Sequence, residues 1–278
     1  MSIKIENVIT PSPEMWRAII LGARNAMNSW DRSDSEIKYE NIRDSEGYIE
    51  IGPNDHELMM KLAKGGSVHA KYRRMITVYV DITAPLYWWK EFDTYKVGTV
   101  ANSCSTMHKI HAKEFELDDF SCEHLRTYKG DFLDASRNPF SALNMLEDII
   151  TVLNRYRDCF IETKDKQYWW QMIQLLPSSY NQKRTVMLNY EVLTNIYEWR
   201  KNHKLDEWVE FCKWIETLPY SEIIIGEEKK TDPVHDAYQA LLKLQACENI
   251  ENVDPEALSS ELIGYLGQAL AGKENENA

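Results

Sequence analysis

Apolar positions along this 278-residue chain recur with two periods, and the switches between them lay out its elements. Alternation of β-branched and aromatic residues predicts the strongest strand over 71–82. Tyr72, Arg74, Ile76, Val78, Val80 and Ile82 fall on one side; Arg73, Met75, Thr77, Tyr79 and Asp81 fall on the other. The two arginines imply that one end of this strand is exposed. Shorter strands are predicted at 3–8 and 48–51. Between them, Pro11-Ser12-Pro13-Glu14 starts a helix that continues over about 15–28, and the polar stretch 31–47 reads as loop. Pro53-Asn54-Asp55 caps a second helix reaching about residue 63, where Gly65-Gly66 ends it.

After residue 134 the period becomes helical. Asn138-Pro139 opens a helix with Phe140, Leu143, Leu146, Ile149, Ile150 and Leu153 as its apolar positions. A helix over 168–176 stops at Pro177. A long helix is predicted over 183–203, with Val186, Tyr190, Leu193 and Tyr197 on one stripe. Another spans 205–218, with Trp208, Phe211, Cys212 and Ile215 inward. A charged linker at 227–232 precedes two amphipathic helices, 234–247 and 255–270, and a polar tail expected to be disordered. The pattern predicts an α+β domain over 1–226 and a helical C-terminal extension over 227–278.

Composition narrows the function classes. The net charge is −12, which disfavours a sequence-independent grip on a nucleic-acid backbone. No apolar run approaches the roughly 18 residues that span a bilayer, and the N-terminus lacks a signal-peptide pattern. Five cysteines (Cys104, Cys122, Cys159, Cys212, Cys247) are scattered without a C-x-x-C pair; they read as reduced thiols of a cytoplasmic protein, and no structural zinc is expected. There is no glycine-rich phosphate loop and no H-E-x-x-H. His108 and His111 lack a third ligand at metal spacing. Trp88-Trp89 and Trp169-Trp170 are expected in core or subunit packing, and Cys104 as a buried neutral thiol.

The chemistry concentrates in 84–109. Thr94, Thr99, Asn102, Ser103, Cys104, Ser105 and Thr106 form a dense run of small polar side chains, a poor way to build a core and a reasonable way to line a polar pocket. The segment resembles the signature of the flavin-dependent thymidylate synthases (ThyX), R-H-R-x-x-S-x-N-E-x-S-x-R-Y with its Pro–aliphatic–aromatic lead-in. Pro85-Leu86-Tyr87 matches the lead-in, and Lys90-Glu91-Phe92-Asp93 stands where R-Q-W-F is common. Without gaps, Thr94, Tyr95 and Lys96 replace R-H-R, Thr99 the first serine, Asn102 the glutamate, Cys104 the second serine, and Thr106-Met107 the final pair. A one-residue slip puts Asn102, Ser103 and Ser105 on the Asn, Glu and Ser positions instead; both registers stay open.

Three further matches lie in the family's order. Gly66-Ser67-Val68-His69-Ala70-Lys71 resembles G-H-E-S-x-x-E-H, with Ser67 at a flavin-contacting serine. Leu176-Pro177 resembles the end of A-R-x-x-L-P, with Ile173 at the arginine. Asn189, Leu193, Asn195 and Arg200 match N-x-R-x-L-x-N-F-x-x-x-R with correct spacing, while Glu191 replaces the internal arginine and Ile196 the phenylalanine.

The resemblance implies a curved, mainly antiparallel sheet flanked by helices, and a homotetramer with sites between subunits. It implies FAD near Ser67, Thr94, Tyr95, Lys96, Asn189, Glu191 and Asn195. It places a pyrimidine nucleotide near Glu91, Asn102, Ser103, Cys104 and Thr106, with Arg200 activating the ring. In the family, NADPH reduces the flavin and methylenetetrahydrofolate supplies the carbon that methylates dUMP.

The residues themselves agree in part. On a continuous helix Asn189 and Arg200, 11 positions apart, share a face. An amide can donate and accept toward an isoalloxazine edge, and a guanidinium favours the anionic form of a uracil. The arginines missing at Thr94, Thr106 and Ile173 would have made charge-assisted forks to phosphates. Lys71, Arg73, Arg74, Lys109 and Arg184 are candidates to compensate. Three readings follow: a diverged flavin enzyme, a non-catalytic nucleotide-binding module, and a structural oligomer.

Overall fold

The computed structural model describes residues 3–39, 47–126 and 141–226. The predicted linker and helices beyond 226, and the helix start at Asn138-Pro139-Phe140, lie outside them.

The chain runs β1 (Lys4–Ile9), α1 (Pro13–Arg24), β2 (Glu36–Lys38), β3 (Tyr48–Glu50), α2 (Pro53–Lys64), β4 (Thr77–Pro85), α3 (Leu86–Phe92) and β5 (Val100–Ser103). It continues with α4 (Thr106–Lys109), α5 (Ala142–Thr163), α6 (Lys166–Leu175), β6 (Asn181–Asn189), α7 (Tyr190–Arg200), α8 (Asp206–Glu216) and α9 (Glu222–Ile225). β1, β4, β6 and β5 form an antiparallel sheet in that order, and β2 pairs with β3 in a small ribbon.

Alternation builds the sheet's inner face. Val78, Val80, Ile82 and Ala84 of β4 and Val186 and Leu188 of β6 are all buried. Against them pack Trp16, Ile19 and Ile20 of α1, Met59 of α2, Trp88, Trp89 and Phe92 of α3, Leu193 and Ile196 of α7, and Trp208, Phe211 and Ile215 of α8. Trp88 sits among Trp89, Phe92 and Trp208, with ring centroids 4.7–5.0 Å apart. Trp88 and Trp89 are thus core residues, as predicted, whereas Trp170 is 42% exposed. Leu146, Leu153 and Met172, on α5 and α6, join Ile110, Phe115 and Phe120 in a second cluster.

Four expectations need correction. The strand predicted over 71–82 begins at Thr77; Lys71–Met75 is a 3-10 turn. Tyr72 is pinned there by its hydroxyl, which donates to the Met59 carbonyl at 2.7 Å. Arg73 is buried and donates to the Ile223 carbonyl, and both arginines lie in this turn, outside the strand whose end they are expected to mark. The helix predicted over 183–203 is a strand followed by a helix. Residues 181–189 pair with β4 along nine positions, and the chain turns helical only at Tyr190. Asn189 has extended backbone (φ −131°, ψ 168°), and its side chain caps α7 by accepting from the Val192 amide at 3.1 Å.

The stretch 31–47 is not all loop, because Glu36–Lys38 pairs with Tyr48–Glu50. Nor does Asp55 cap α2. Asp34 does so from outside the helix, accepting from the amides of Asn54 and Asp55 at 3.0 Å each.

Candidate functional site

The matched residues fall into three groups. The first joins α3 to the C-terminal end of α7. Arg200 Nη1 donates to Glu91 Oε2 at 2.7 Å, and its Nε donates to the Tyr95 hydroxyl at 2.9 Å. Trp208 Nε1 donates to the same Glu91 oxygen at 3.0 Å, and the guanidinium lies 4.8 Å from the Trp208 ring centroid. His203 Nε2 lies 3.0 Å from Arg200 Nη1. Glu91, Tyr95 and Arg200 were candidates on sequence grounds; Trp208 and His203 were not. The spacing of His203 from Arg200, one helical turn on, was the local signal available for the histidine.

The consequence is electrostatic. Arg200 is an ion-paired side chain, 20% exposed, facing a carboxylate where the resemblance has an amide. A ligand that needs the guanidinium must displace or share it with Glu91.

The second group sits at the other end of α7. A side chain on Gly98, whose φ is +79°, would come within 2.8 Å of Asn189 Nδ2, so glycine lets the signature loop lie against this amide. Next to Gly98, Thr99 carries a buried hydroxyl with no hydrogen-bond partner among the described residues. Glu191, in the first turn of α7, lies 3.9 Å from Arg74 Nη2. Because Asn189 precedes the helix, Asn189 and Arg200 do not share a helix face; they mark its two ends, roughly 16 Å apart at 1.5 Å per residue.

The third group is the exposed edge strand β5. Asn102 pairs with Thr185 and Ser103 with Arg184. Cys104 follows, its amide donating to the Lys183 carbonyl at 2.9 Å and its carbonyl accepting from Gln182 Nε2 at 3.0 Å. Cys104 is exposed, contrary to the expected buried thiol: it lies past the strand, where no core element covers it. Thr106 opens α4, whose N-cap is Ser105. Arg184 stacks 4.2 Å from the Trp89 ring centroid and pairs with Asp93 at 2.8 Å.

Thr94 turns inward on its own backbone, donating to the Glu91 carbonyl at 2.7 Å. Ser67, Lys96 and Asn195 are exposed and make no side-chain hydrogen bond among the described residues. Of the proposed compensating cations, Arg73 is consumed by the core and Arg184 by Asp93, while Arg74 is 56% exposed. No metal-ligating cluster of His, Cys, Asp or Glu occurs among the described residues.

The open face of the sheet has a pattern of its own. One cross-strand row runs Ile9, Tyr79, Met187, Val100, and the next runs Glu6, Asp81, Thr185, Asn102. In the apolar row, Ile9, Tyr79 and Val100 are 63%, 48% and 56% exposed. In the polar row, hydrogen bonds from Thr185 (2.5 Å), Asn7 (2.8 Å) and Lys183 (2.9 Å) hold the Asp81 carboxyl down to about 2.

No protein-family model matches the chain, and no curated protein matches it by sequence. Solved structures do. A flavin-dependent thymidylate synthase ThyX from Helicobacter pylori, complexed with FAD and dUMP, superposes with a TM-score of 0.53 at 15% identity, covering 82% of this chain and 98% of that one. A second structure of that enzyme with FAD and dUMP gives the same score and identity, with 97% of its chain covered. The protein therefore has a ThyX-like fold, mixed helix and antiparallel sheet. No helix among the described residues is long and apolar enough to cross a membrane.

Proposed function

We propose that this chain is a diverged ThyX-type protein that binds FAD and a pyrimidine nucleotide of the dUMP class. One observation carries the reading: Glu91, Tyr95 and Arg200, separated by 105 and 109 positions, meet in one hydrogen-bonded cluster, on a fold shared with an enzyme that holds both ligands. Arg200 is the residue for the pyrimidine ring. Asn102, Ser103, Cys104 and Thr106 offer neutral donors and acceptors to base and sugar.

The residues also suit a flavin. The unpartnered Thr99 hydroxyl and Nδ2 of Asn189, whose Oδ1 already caps α7, are the groups beside Gly98 left to meet the polar edge of an isoalloxazine. Lys96, Lys71 and the exposed Arg74 are the cations available to its pyrophosphate, with Ser67, Tyr95, Glu191 and Asn195 as further contacts. When bound, FAD supplies hydride transfer, with NADPH as reductant and methylenetetrahydrofolate as carbon donor. The chain's part is to orient the nucleotide and stabilise negative charge on its ring through Arg200.

A second reading, a non-catalytic module on the same scaffold, is favoured by Glu91. Its carboxylate neutralises Arg200, and the cluster also lacks the phosphate-binding arginines of the family. The apolar row Ile9–Tyr79–Met187–Val100 supports a homo-oligomer, a tetramer by resemblance, since single molecules rarely leave such a row uncovered.

Calorimetric titration with dUMP, with and without FAD, tests the reading. Saturable binding that weakens about tenfold in Arg200→Ala, the size of one lost charge-assisted hydrogen bond, is expected. No binding of either ligand refutes it. NADPH oxidation that depends on dUMP separates the enzyme from the module.

A further inference from the structure

A second polar hollow shares no lining residue with the candidate nucleotide site. It lies between the C-terminal end of α1 and α2, has a volume of about 170 Å³, and is lined by Arg24, Ser29, Arg32, Asn54, Glu57 and Lys61 together with two apolar side chains.

Its most informative member is Arg24, which is 3% exposed. Its Nε donates to Asp55 Oδ1 at 2.5 Å, and its Nη1 donates to Ser29 Oγ at 3.3 Å. Its Nη2 is buried and has no partner among the described residues. Asp55 is poorly placed to take this third donor. Its Oδ2 already accepts from the hydroxyls of Ser33 and Ser35 and from the amides of Asp34 and Ser35, at 2.6–3.0 Å. Burial pushes the Asp55 carboxyl up, but those hydrogen bonds and the one from Arg24 outweigh it and leave it lowered, so the anion is fixed and its Oδ2 is fully committed. A buried guanidinium nitrogen with no acceptor is costly, and native structures seldom leave one so.

Around it the supply of donors exceeds demand. Arg32 and Lys61 are exposed, and neither side chain has an ion pair or hydrogen bond among the described residues. The Asn54 side chain and the Ser29 hydroxyl add neutral donors. Glu57 is the one acid in the lining. Setting aside the Arg24–Asp55 pair, the lining carries two positive charges against one negative.

We propose that this hollow binds a phosphate group, with the Arg24 guanidinium at its floor and Arg32 and Lys61 at its rim. Cationic donors arriving from three separate stretches of chain suit a tetrahedral oxyanion, whose oxygens point in several directions, better than a planar carboxylate. The phosphate comes either as the free ion or as the end of a larger ester. This site is independent of the nucleotide reading: a chain that refuses FAD and dUMP can still hold phosphate here.

The test is titration of the full chain with inorganic phosphate, followed by calorimetry and by ³¹P line broadening. One saturable site is expected. Arg32→Ala/Lys61→Ala, both at exposed positions that leave the fold intact, weakens it by at least about tenfold. Glu57→Gln tightens it. Lys96→Ala, in the signature loop, leaves it unchanged, which separates this hollow from a phosphate subsite of the nucleotide. Glycerol phosphate binding tighter than inorganic phosphate identifies an ester as the ligand, and the reverse identifies the free ion; either order supports the site. No binding at roughly 10 mM phosphate, or binding unmoved by the double substitution, overturns it.

Discussion

The two faces of the four-stranded sheet are governed by different physics. On the inner face Val78, Val80, Ile82, Ala84, Val186 and Leu188 are at most 1% exposed, packed beneath Trp88, Trp89 and Trp208. On the outer face the same strands present Tyr79, Asp81, Thr185 and Met187, bordered by the exposed signature strand Val100–Ser103. Packing density fixes the first face, because any change of volume there costs stability. The second is fixed only by what it binds. The difference explains how a chain 15% identical to a ThyX structure can share its fold. The scaffold is held by burial, and the open face can be rewritten without unfolding it.

The largest effect that separates the faces is expected at Trp88. Trp88→Ala should lower the unfolding free energy in urea by about 3–5 kcal/mol. Trp88→Phe should cost much less, because the Trp88 Nε1 is buried without a partner among the described residues and its loss leaves no acceptor stranded. If the alanine change cost under about 1 kcal/mol, the inner face would not be the fixed one.

Next comes Glu91. Glu91→Gln puts an amide where the resemblance has one and frees Arg200, so nucleotide affinity should rise by about tenfold, the size of one charge-assisted contact. Stability should change little in comparison, since Glu91 and Arg200 are 35% and 20% exposed. Weaker dUMP binding in Glu91→Gln would mean that the carboxylate serves the ligand directly.

On the outer face Tyr79→Ser should shift the unfolding free energy of the separated chain by no more than about 0.5 kcal/mol. Any larger effect should track protein concentration, as loss of a subunit contact would. Smallest is the acid dependence of Asp81. Its native carboxyl titrates at about 2, below the unfolded value of about 3.9. Its contribution is therefore complete above pH about 4 and is lost as pH falls through about 2. Asp81→Asn should flatten the stability profile in that window; an unchanged profile would show that its hydrogen bonds to Thr185, Asn7 and Lys183 do not persist in solution.

The inner face was largely legible in the sequence. The alternation of Val78, Val80 and Ile82, the paired tryptophans at 88 and 89, and the stripe Trp208-Phe211-Cys212-Ile215 all predict burial, and all are buried. The β6–α7 boundary was not. Val186, Tyr190 and Leu193 satisfy a helical stripe as well as a strand followed by a helix, and only the nine-position ladder with β4 decides between them. The Arg200–Glu91 pair was equally hidden, since nothing local marks a contact across 109 positions. Asp34 capping α2 and the buried Arg24–Asp55 pair are long-range in the same sense: residue types announce that a charge needs a partner, but topology chooses it. Cys104 failed for a simpler reason, because a cysteine's tendency toward burial carries no weight on an uncovered edge.

The proposed function rests on the chain binding a flavin. Its most direct test is the visible absorbance spectrum of the purified chain before and after addition of FAD and desalting. A retained oxidised-flavin band, diminished in Asn189→Ala and Lys96→Ala, is the predicted result. A colourless protein that releases all added FAD would contradict it, leaving a ThyX-like fold put to another use.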